Sequence, residues 1–282
     1  MKGTIALDID GTLTDNLHLP ANVIAYLKTL ADNGWRLVFI TGRTFKSGYP
    51  YLKGLPFVYY LAVQNGAIIL EMPGKRILSK KYLDRSIIQG MDNICKGESS
   101  DFVVYSGFEN EDQCYFRPQN FSEELLGYLN QRIHSYQEIW HPLNSYDEMM
   151  LDNFPSFKCF GLYSSASLLS KKIESELGLH APLIRDPFSP GYYVVQATHR
   201  EINKGFALKE LIASTGERGK VIAAGDDYND EPMLEAADIK IVMSTAPDDL
   251  LKKADIIAPA ASEEGIICGL EAAIAHAGNY WI

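Results

Sequence analysis

Asp8-Ile9-Asp10-Gly11-Thr12 decides how the rest of the chain is read. It follows Thr4 to Leu7, a short β-prone run, and so places two carboxylates where a first strand ends. Side chains alternate along extended backbone, so Asp8 and Asp10 are expected on one side. In open α/β sheets ligands bind beyond the carboxyl ends of strands, where this pair lies. Two carboxylates so close repel unless a cation neutralises them or one keeps a proton. A capping or turn role explains such a pair about as well when the motif stands alone. A calcium loop fails on spacing, since Gly11 falls at loop position 4 instead of 6 and Leu19 stands where a bidentate Glu is required. Gly219-Lys220 likewise fails as a phosphate loop, because Val221 follows where Ser or Thr would bind magnesium.

Working outward, the flanking segments alternate strand and helix. Val23, Leu27, Leu30 and Ala31 recur at helical spacing between Ala21 and Asn33, and Gly34 supplies a stop. Trp35 to Ile40 and Val58 to Val63 are apolar runs of the kind buried on both faces, which favours a parallel sheet covered by helices. The C-terminal third repeats the rhythm. Phe206, Leu208, Leu211 and Ile212 predict a helix, Lys220 to Ala224 a strand and Asp230 to Ala237 a short helix. Strand Ile239 to Met243, helix Asp248 to Ala254, strand Ile256 to Ala258 and a helix from about Ser262 to Ala277 follow. Both ends therefore read as one doubly wound α/β sheet.

The middle reads differently. A hairpin is expected around Met72-Pro73-Gly74-Lys75, then a helix through Leu83, Ile87, Met91 and Ile94. Strands at Asp101 to Tyr105 and Gln113 to Phe116 precede a helix capped by Ser122. A weak strand near Ile139, a short helix at Asp147 to Leu151 and strand Phe157 to Tyr163 come next. Helix Ala166 to Leu177, closed by Gly178, leads to strands near Leu183 and from Tyr192 to Gln196. The order is αββ, αβαβ, αββ, an α+β insert within the α/β core.

Composition narrows the functional classes. The 282 residues are 46% hydrophobic and 22% charged, which excludes disorder. No apolar run approaches the ~18 residues of a membrane span, and Met1 to Asp10 lacks the apolar core of a signal peptide, so a cytoplasmic protein without a membrane partner is expected. Acidic residues outnumber basic ones 36 to 26, for a net charge of −10. That field repels nucleic acid, yet a metal ion or a few placed cations can still admit a small phosphorylated substrate. Cys95, Cys114, Cys159 and Cys268 show no C-x-x-C spacing and read as reduced, mostly buried thiols.

Three further elements complete the first. Thr41-Gly42-Arg43 at the end of strand two offers a hydroxyl, an approachable backbone and a guanidinium for an anion. Asn65-Gly66-Ala67 follows strand three. Lys204 opens a helix, where the macrodipole favours anions over a lysine, and so suggests a bound anion. Gly225-Asp226-Asp227-Tyr228-Asn229-Asp230 gathers carboxylates of a kind that suits Mg²⁺ more than zinc.

Taken together and in this order, these motifs resemble those of the haloacid dehalogenase-like hydrolases, in particular the Cof-like subfamily with a type C2B cap. Asp8 to Thr12 matches the first motif, Thr41-Gly42-Arg43 the second, Lys204-Gly205 the third, and Gly225-Asp226 through Asn229-Asp230 the fourth. The resemblance implies a Rossmann-like core of residues 1–81 and 199–282, with an α+β cap of residues 82–198 that closes over the site. It also implies Asp8 as nucleophile and Asp10 as acid and base, with Mg²⁺ held by Asp8, the Asp10 carbonyl and Asp226, and with Asp230 either a further ligand or a residue that orients them. Thr41 and Lys204 would grip the phosphoryl oxygens. Gly42, Arg43 and Asn65 would add substrate contacts, and Asn229 would orient Lys204 or its loop. The expected substrate is a small phosphorylated metabolite, a sugar phosphate above all. The competing readings are a phosphotransferase of the phosphomannomutase type and a non-catalytic binding module. Two departures stand out: Asp227 where many members carry a small residue, and Ser244-Thr245-Ala246 where Gly-Asn-Ala is usual.

Overall fold

The computed structural model describes residues 2–15, 18–136, 138–186, 189, 191–216 and 219–278. The chain opens with β1 (Gly3–Leu7), α1 (Ala21–Asp32), β2 (Trp35–Ile40), α2 (Phe45–Leu52), β3 (Tyr59–Val63), β4 (Ile68–Met72) and β5 (Arg76–Lys80). It continues through β6 (Leu83–Asp84), α3 (Ile87–Cys95), β7 (Phe102–Tyr105), β8 (Cys114–Phe116), α4 (Glu123–Tyr136), β9 (Trp140–Pro142) and β10 (Asn153–Phe154). Next come β11 (Ser156–Leu162), α5 (Tyr163–Leu177), β12 (Leu183–Arg185) and β13 (Tyr192–Ala197). It closes with α6 (Lys204–Thr215), β14 (Lys220–Gly225), α7 (Glu231–Glu235), β15 (Ile239–Met243), α8 (Asp248–Leu251), β16 (Ile256–Ala258) and α9 (Gly265–Gly278).

Two compact units result. One takes in the described residues up to Arg43, then Gly48–Lys80 and those from Asn203 onward; the other takes in Thr44–Ser47 and Lys81–Ile202. The first unit is built on an eight-stranded sheet in the order β16-β15-β14-β1-β2-β3-β4-β5. Its pairings are parallel from β16 to β3, and the β3-β4-β5 edge is antiparallel. All five residues of β1 are buried, as are Leu37 to Ile40 of β2, so both faces of these strands are covered by helices, as the apolar runs predicted. Ala207, Leu208 and Leu211 of α6 and Met233 and Leu234 of α7 pack with Ala6, Val38, Val221 and Ala223 of the sheet in one core. Val23, Leu27 and Leu30 form the buried stripe of α1.

The second unit holds a six-stranded sheet ordered β12-β13-β11-β7-β8-β9, antiparallel except for the β8–β9 pair, and a two-stranded ladder of β6 with β10. Helices α3 and α5 pack on one side of the sheet through Ile88, Met91, Ile94, Ala166, Leu169 and Ile173. Helix α4 packs with the other side through Leu125, Tyr128 and Leu129. The hydroxyl of Ser122 accepts the Leu125 N–H at 3.3 Å, the cap its position predicted.

Three local expectations change. Leu83 is not helical: it pairs with Phe154 in the β6–β10 ladder, and its four-residue spacing from Ile87 mimics a helix because both join the same core. The helix expected at Asp147 to Leu151 is a single 3₁₀ turn, Tyr146–Glu148, which Ser145 and Glu148 cap reciprocally before the chain enters β10. Of the four free cysteines only Cys114 and Cys159 are buried; Cys95 is half-buried and Cys268 exposed. Among the described residues no helix is long and apolar enough to cross a membrane.

Candidate active site

The chain leaves β1 for β2 on one side of the sheet and returns through β14 on the other, so the carboxyl ends of β14, β1, β2 and β3 stand side by side. Such a reversal of strand order opens a crevice at the strand ends. There the N–H of Asp8 bonds the Ala224 carbonyl at 3.1 Å and ties the end of β1 to β14. Because β1 stops at Leu7, side-chain alternation stops too: Asp8 turns to Lys204 and Asp10 to Arg43. The loop then folds tightly, with the N–H groups of Leu13 and Thr14 on the Ile9 carbonyl. Gly11 has φ +74°, and a Cβ added there would lie 2.2 Å from Oδ2 of Asp226. Glycine is therefore what lets the first strand end meet the fourth motif. Thr12 fastens the approach by donating its hydroxyl to Oδ1 of Asp226 at 3.1 Å.

Beyond β14, Asp227 caps the 3₁₀ turn Tyr228–Asp230, accepting the Tyr228 N–H at 2.8 Å. Ser and Asp are interchangeable as caps, which accounts for an acidic residue at this position. Asp230, fully buried, is the centre of the loop. Its Oδ2 accepts the N–H groups of Asp226 (3.0 Å) and Asp227 (3.1 Å), while its Oδ1 accepts from Nζ of Lys204 at 2.6 Å. The same ammonium donates to Oδ1 of Asp8 at 2.5 Å. Two features of α6 hold Lys204 there. Asn203 caps the helix by accepting the Phe206 N–H at 2.8 Å, and Gly205 passes so close to Pro232 that a Cβ would sit 2.2 Å from its carbonyl oxygen.

The electrostatics are those of a crowded anionic pocket. Burial, reinforced by the charges of Asp230 and Asp10 and opposed by Lys204, pushes the Asp8 carboxyl up to about 7. Burial and the Asp230 and Asp8 charges raise Asp226 well above the usual carboxylate range. Burial alone would lower the Lys204 ammonium, but Asp230 and Asp8 outweigh it and raise it. Oxygen atoms of Asp8, Asp226 and Asp230 all lie within 4.8 Å of one another. Three carboxylates thus face one ammonium in a buried, all-oxygen setting, which fits a hard divalent cation and not a soft one. With its Oδ2 on two amides and its Oδ1 on Lys204, Asp230 serves first to shape the loop and aim the ammonium.

The second strand end adds Thr41, buried, whose hydroxyl accepts the Arg43 N–H at 3.1 Å and whose carbonyl accepts the Asn65 N–H at 2.9 Å. Gly42 lies between them in the turn. Asn65 is buried with φ +57°, and neither its amide nitrogen nor its amide oxygen has a hydrogen-bond partner among the described residues. Such a side chain is costly unless a bound group satisfies it. Two further predicted residues have the following surroundings. Arg43, expected to contact substrate, forks onto Asp10, Nε to Oδ2 at 2.7 Å and Nη2 to Oδ1 at 2.6 Å. Asn229 makes no hydrogen bond to Lys204, whose partners are Asp8 and Asp230. Thr12 and Tyr51 join the site beyond the residues expected from the sequence. Thr12 stands inside the first motif, where its hydroxyl is a visible signal, whereas nothing in the order of residues links Tyr51 to Arg43, whose guanidinium lies over its ring at 4.6 Å.

Residues 5–270 match the model of a family described as haloacid dehalogenase-like hydrolases. A pyridoxal phosphate phosphatase of Escherichia coli K12, YbhA, is 25% identical over 272 residues, covering 90% of this chain and 92% of its own. A phosphoglycolate phosphatase of Methanobrevibacter smithii is 23% identical over 255 residues, covering 90% of each. Among solved structures, the subclass IIB sugar phosphatase BT4131 superposes with a TM-score of 0.75 at 20% identity, covering 98% of this chain and 99% of that one.

Proposed function

The chain belongs to the haloacid dehalogenase-like hydrolases, and on that footing we propose that it is a magnesium-dependent phosphatase of small phosphorylated metabolites, working through an aspartyl phosphate on Asp8. The observation that carries this reading is the buried Lys204 ammonium between Asp8 and Asp230, with Asp226 in the same group of oxygens. The similar proteins named for pyridoxal phosphate and phosphoglycolate both act on phosphomonoesters, and sugar phosphates head the substrates to be tried.

In the reaction an Asp8 oxygen attacks phosphorus, the bond to the leaving oxygen breaks, and Asp10 gives that oxygen its proton. Water then attacks the phosphoryl group, Asp10 takes the proton from the water, and the bond to Asp8 breaks to restore the carboxylate. Lys204 and Thr41 hold the phosphoryl oxygens in line, the positioning on which phosphoryl transfer depends. Asp8, Asp226, Asp230 and the main-chain carbonyl of Asp10 would hold Mg²⁺, which when bound supplies positive charge to the equatorial phosphoryl oxygens and shields Asp8 from an anionic substrate. Asn65, whose amide has no partner among the described residues and whose N–H bonds the Thr41 carbonyl, would contact the substrate.

A panel of sugar phosphates, pyridoxal phosphate and phosphoglycolate with Mg²⁺ tests the reading. Inorganic phosphate release is expected from at least one, together with a phosphate adduct on the Asp8 peptide after acid quench. D8N should abolish both. Isomerised sugar phosphate without phosphate release would instead identify a phosphotransferase, and inertness towards the whole panel a binding module.

A further inference from the structure

We propose that Arg43 is a positioning residue for Asp10, rather than a substrate ligand. The guanidinium meets both oxygens of Asp10 through two parallel N–H donors at 2.7 and 2.6 Å, the fork that gives an arginine–carboxylate pair a fixed geometry. Its face lies on the Tyr51 ring at 4.6 Å, and its side chain is only 11% exposed against 36% for Asp10. The arginine is therefore the anchored partner and the aspartate the one at the surface. Its backbone is anchored as well: the N–H bonds the Thr41 hydroxyl, and the carbonyl accepts the Gln64 N–H at 2.8 Å. A substrate-gripping arginine would keep its fork open towards the ligand, whereas here the Nε–Nη2 edge, one of the two that suit a phosphate or carboxylate, is spent on Asp10.

The inference rests on the phosphatase reading, in which Asp10 must face the leaving oxygen first and the attacking water afterwards. A half-exposed carboxylate without a clamp samples several rotamers, and misplacement of an acid–base group by about 1 Å can cost about 10²-fold. The fork therefore serves both half-reactions through Asp10 without Arg43 touching substrate.

Rapid mixing with p-nitrophenyl phosphate and Mg²⁺ tests this, because nitrophenolate leaves without a proton while the second half-reaction still needs Asp10 as base. R43Q is expected to release a burst of about one nitrophenolate per site, followed by steady turnover slowed about tenfold or more, with KM falling alongside kcat. R43K, which keeps the cation but not the fork, should fall between R43Q and wild type, and it carries the same test if R43Q does not fold. A raised KM with kcat unchanged would show that Arg43 grips substrate and would overturn the proposal. Loss of the burst along with turnover, or wild-type turnover in both variants, would also overturn it. Absence of turnover in the wild-type protein would instead remove the phosphatase reading on which the proposal stands.

Discussion

Gly11 shows how much of this site hangs on one missing carbon. Its φ of +74° and the 2.2 Å that would separate a Cβ at this position from Asp226 Oδ2 leave an alanine no room without moving the carboxylate or the loop. We expect G11A to lower kcat by about 10²-fold, since a shift of about 1 Å at a catalytic group has that effect. Apparent Tm should fall only by the few degrees that a strained residue costing about 1–3 kcal/mol brings. Steady-state kinetics beside a thermal melt checks this, and wild-type kcat in a folded G11A would refute the steric account. At this scale much could be read from the chain: Asp8, Asp10, Thr41, Lys204, Asp226 and Asp230 stand in motifs whose chemistry is legible. The partner of Arg43 was not, because a guanidinium at a strand end suits a ligand phosphate and a protein carboxylate equally.

Among the elements, β11 and the segment between β7 and β8 place ionisable groups where little water reaches. Asp112 is buried, its Oδ2 on the N–H of Lys46 at 2.7 Å and its Oδ1 without a partner among the described residues. Burial, partly offset by that hydrogen bond and by Lys158, pushes the Asp112 carboxyl up to about 6. Lys158 of β11, with the Tyr105 ring 4.5 Å from its Nζ, is lowered to about 8, first by burial and then by Arg132. A carboxyl raised in the folded state binds its proton more tightly there than in the unfolded chain. Its contribution to stability therefore falls as pH rises from about 4 to about 6, by up to about 3 kcal/mol. D112N keeps an oxygen for the Lys46 amide and removes this dependence. Its apparent Tm should exceed that of wild type at pH 7.5 and approach it at pH 4.5, as followed by circular dichroism. An equal offset at both pH values would contradict the assignment. Element boundaries were legible where apolar runs are longer, as at β2 and β15. They blurred at Leu83 and Tyr146–Glu148, where short-range spacing fits helix and ladder alike and distant partners decide.

For the whole molecule, the α/β core could be read because strands buried on both faces leave continuous apolar runs, and the α+β insert because that pattern breaks between Leu83 and Ala197. What pattern alone leaves out is the meeting of residues far apart in the chain: strand order brings Asp8 and Asp226 together, while Gly11 and Gly205 decide how closely. The proposed chemistry turns on that meeting. It is tested most directly by crystals grown with Mn²⁺ in place of Mg²⁺ and measured for anomalous scattering. One strong peak bonded to carboxylate oxygens of both Asp8 and Asp226 is expected. Manganese bound elsewhere, with those two carboxylates carrying no ion, would contradict it.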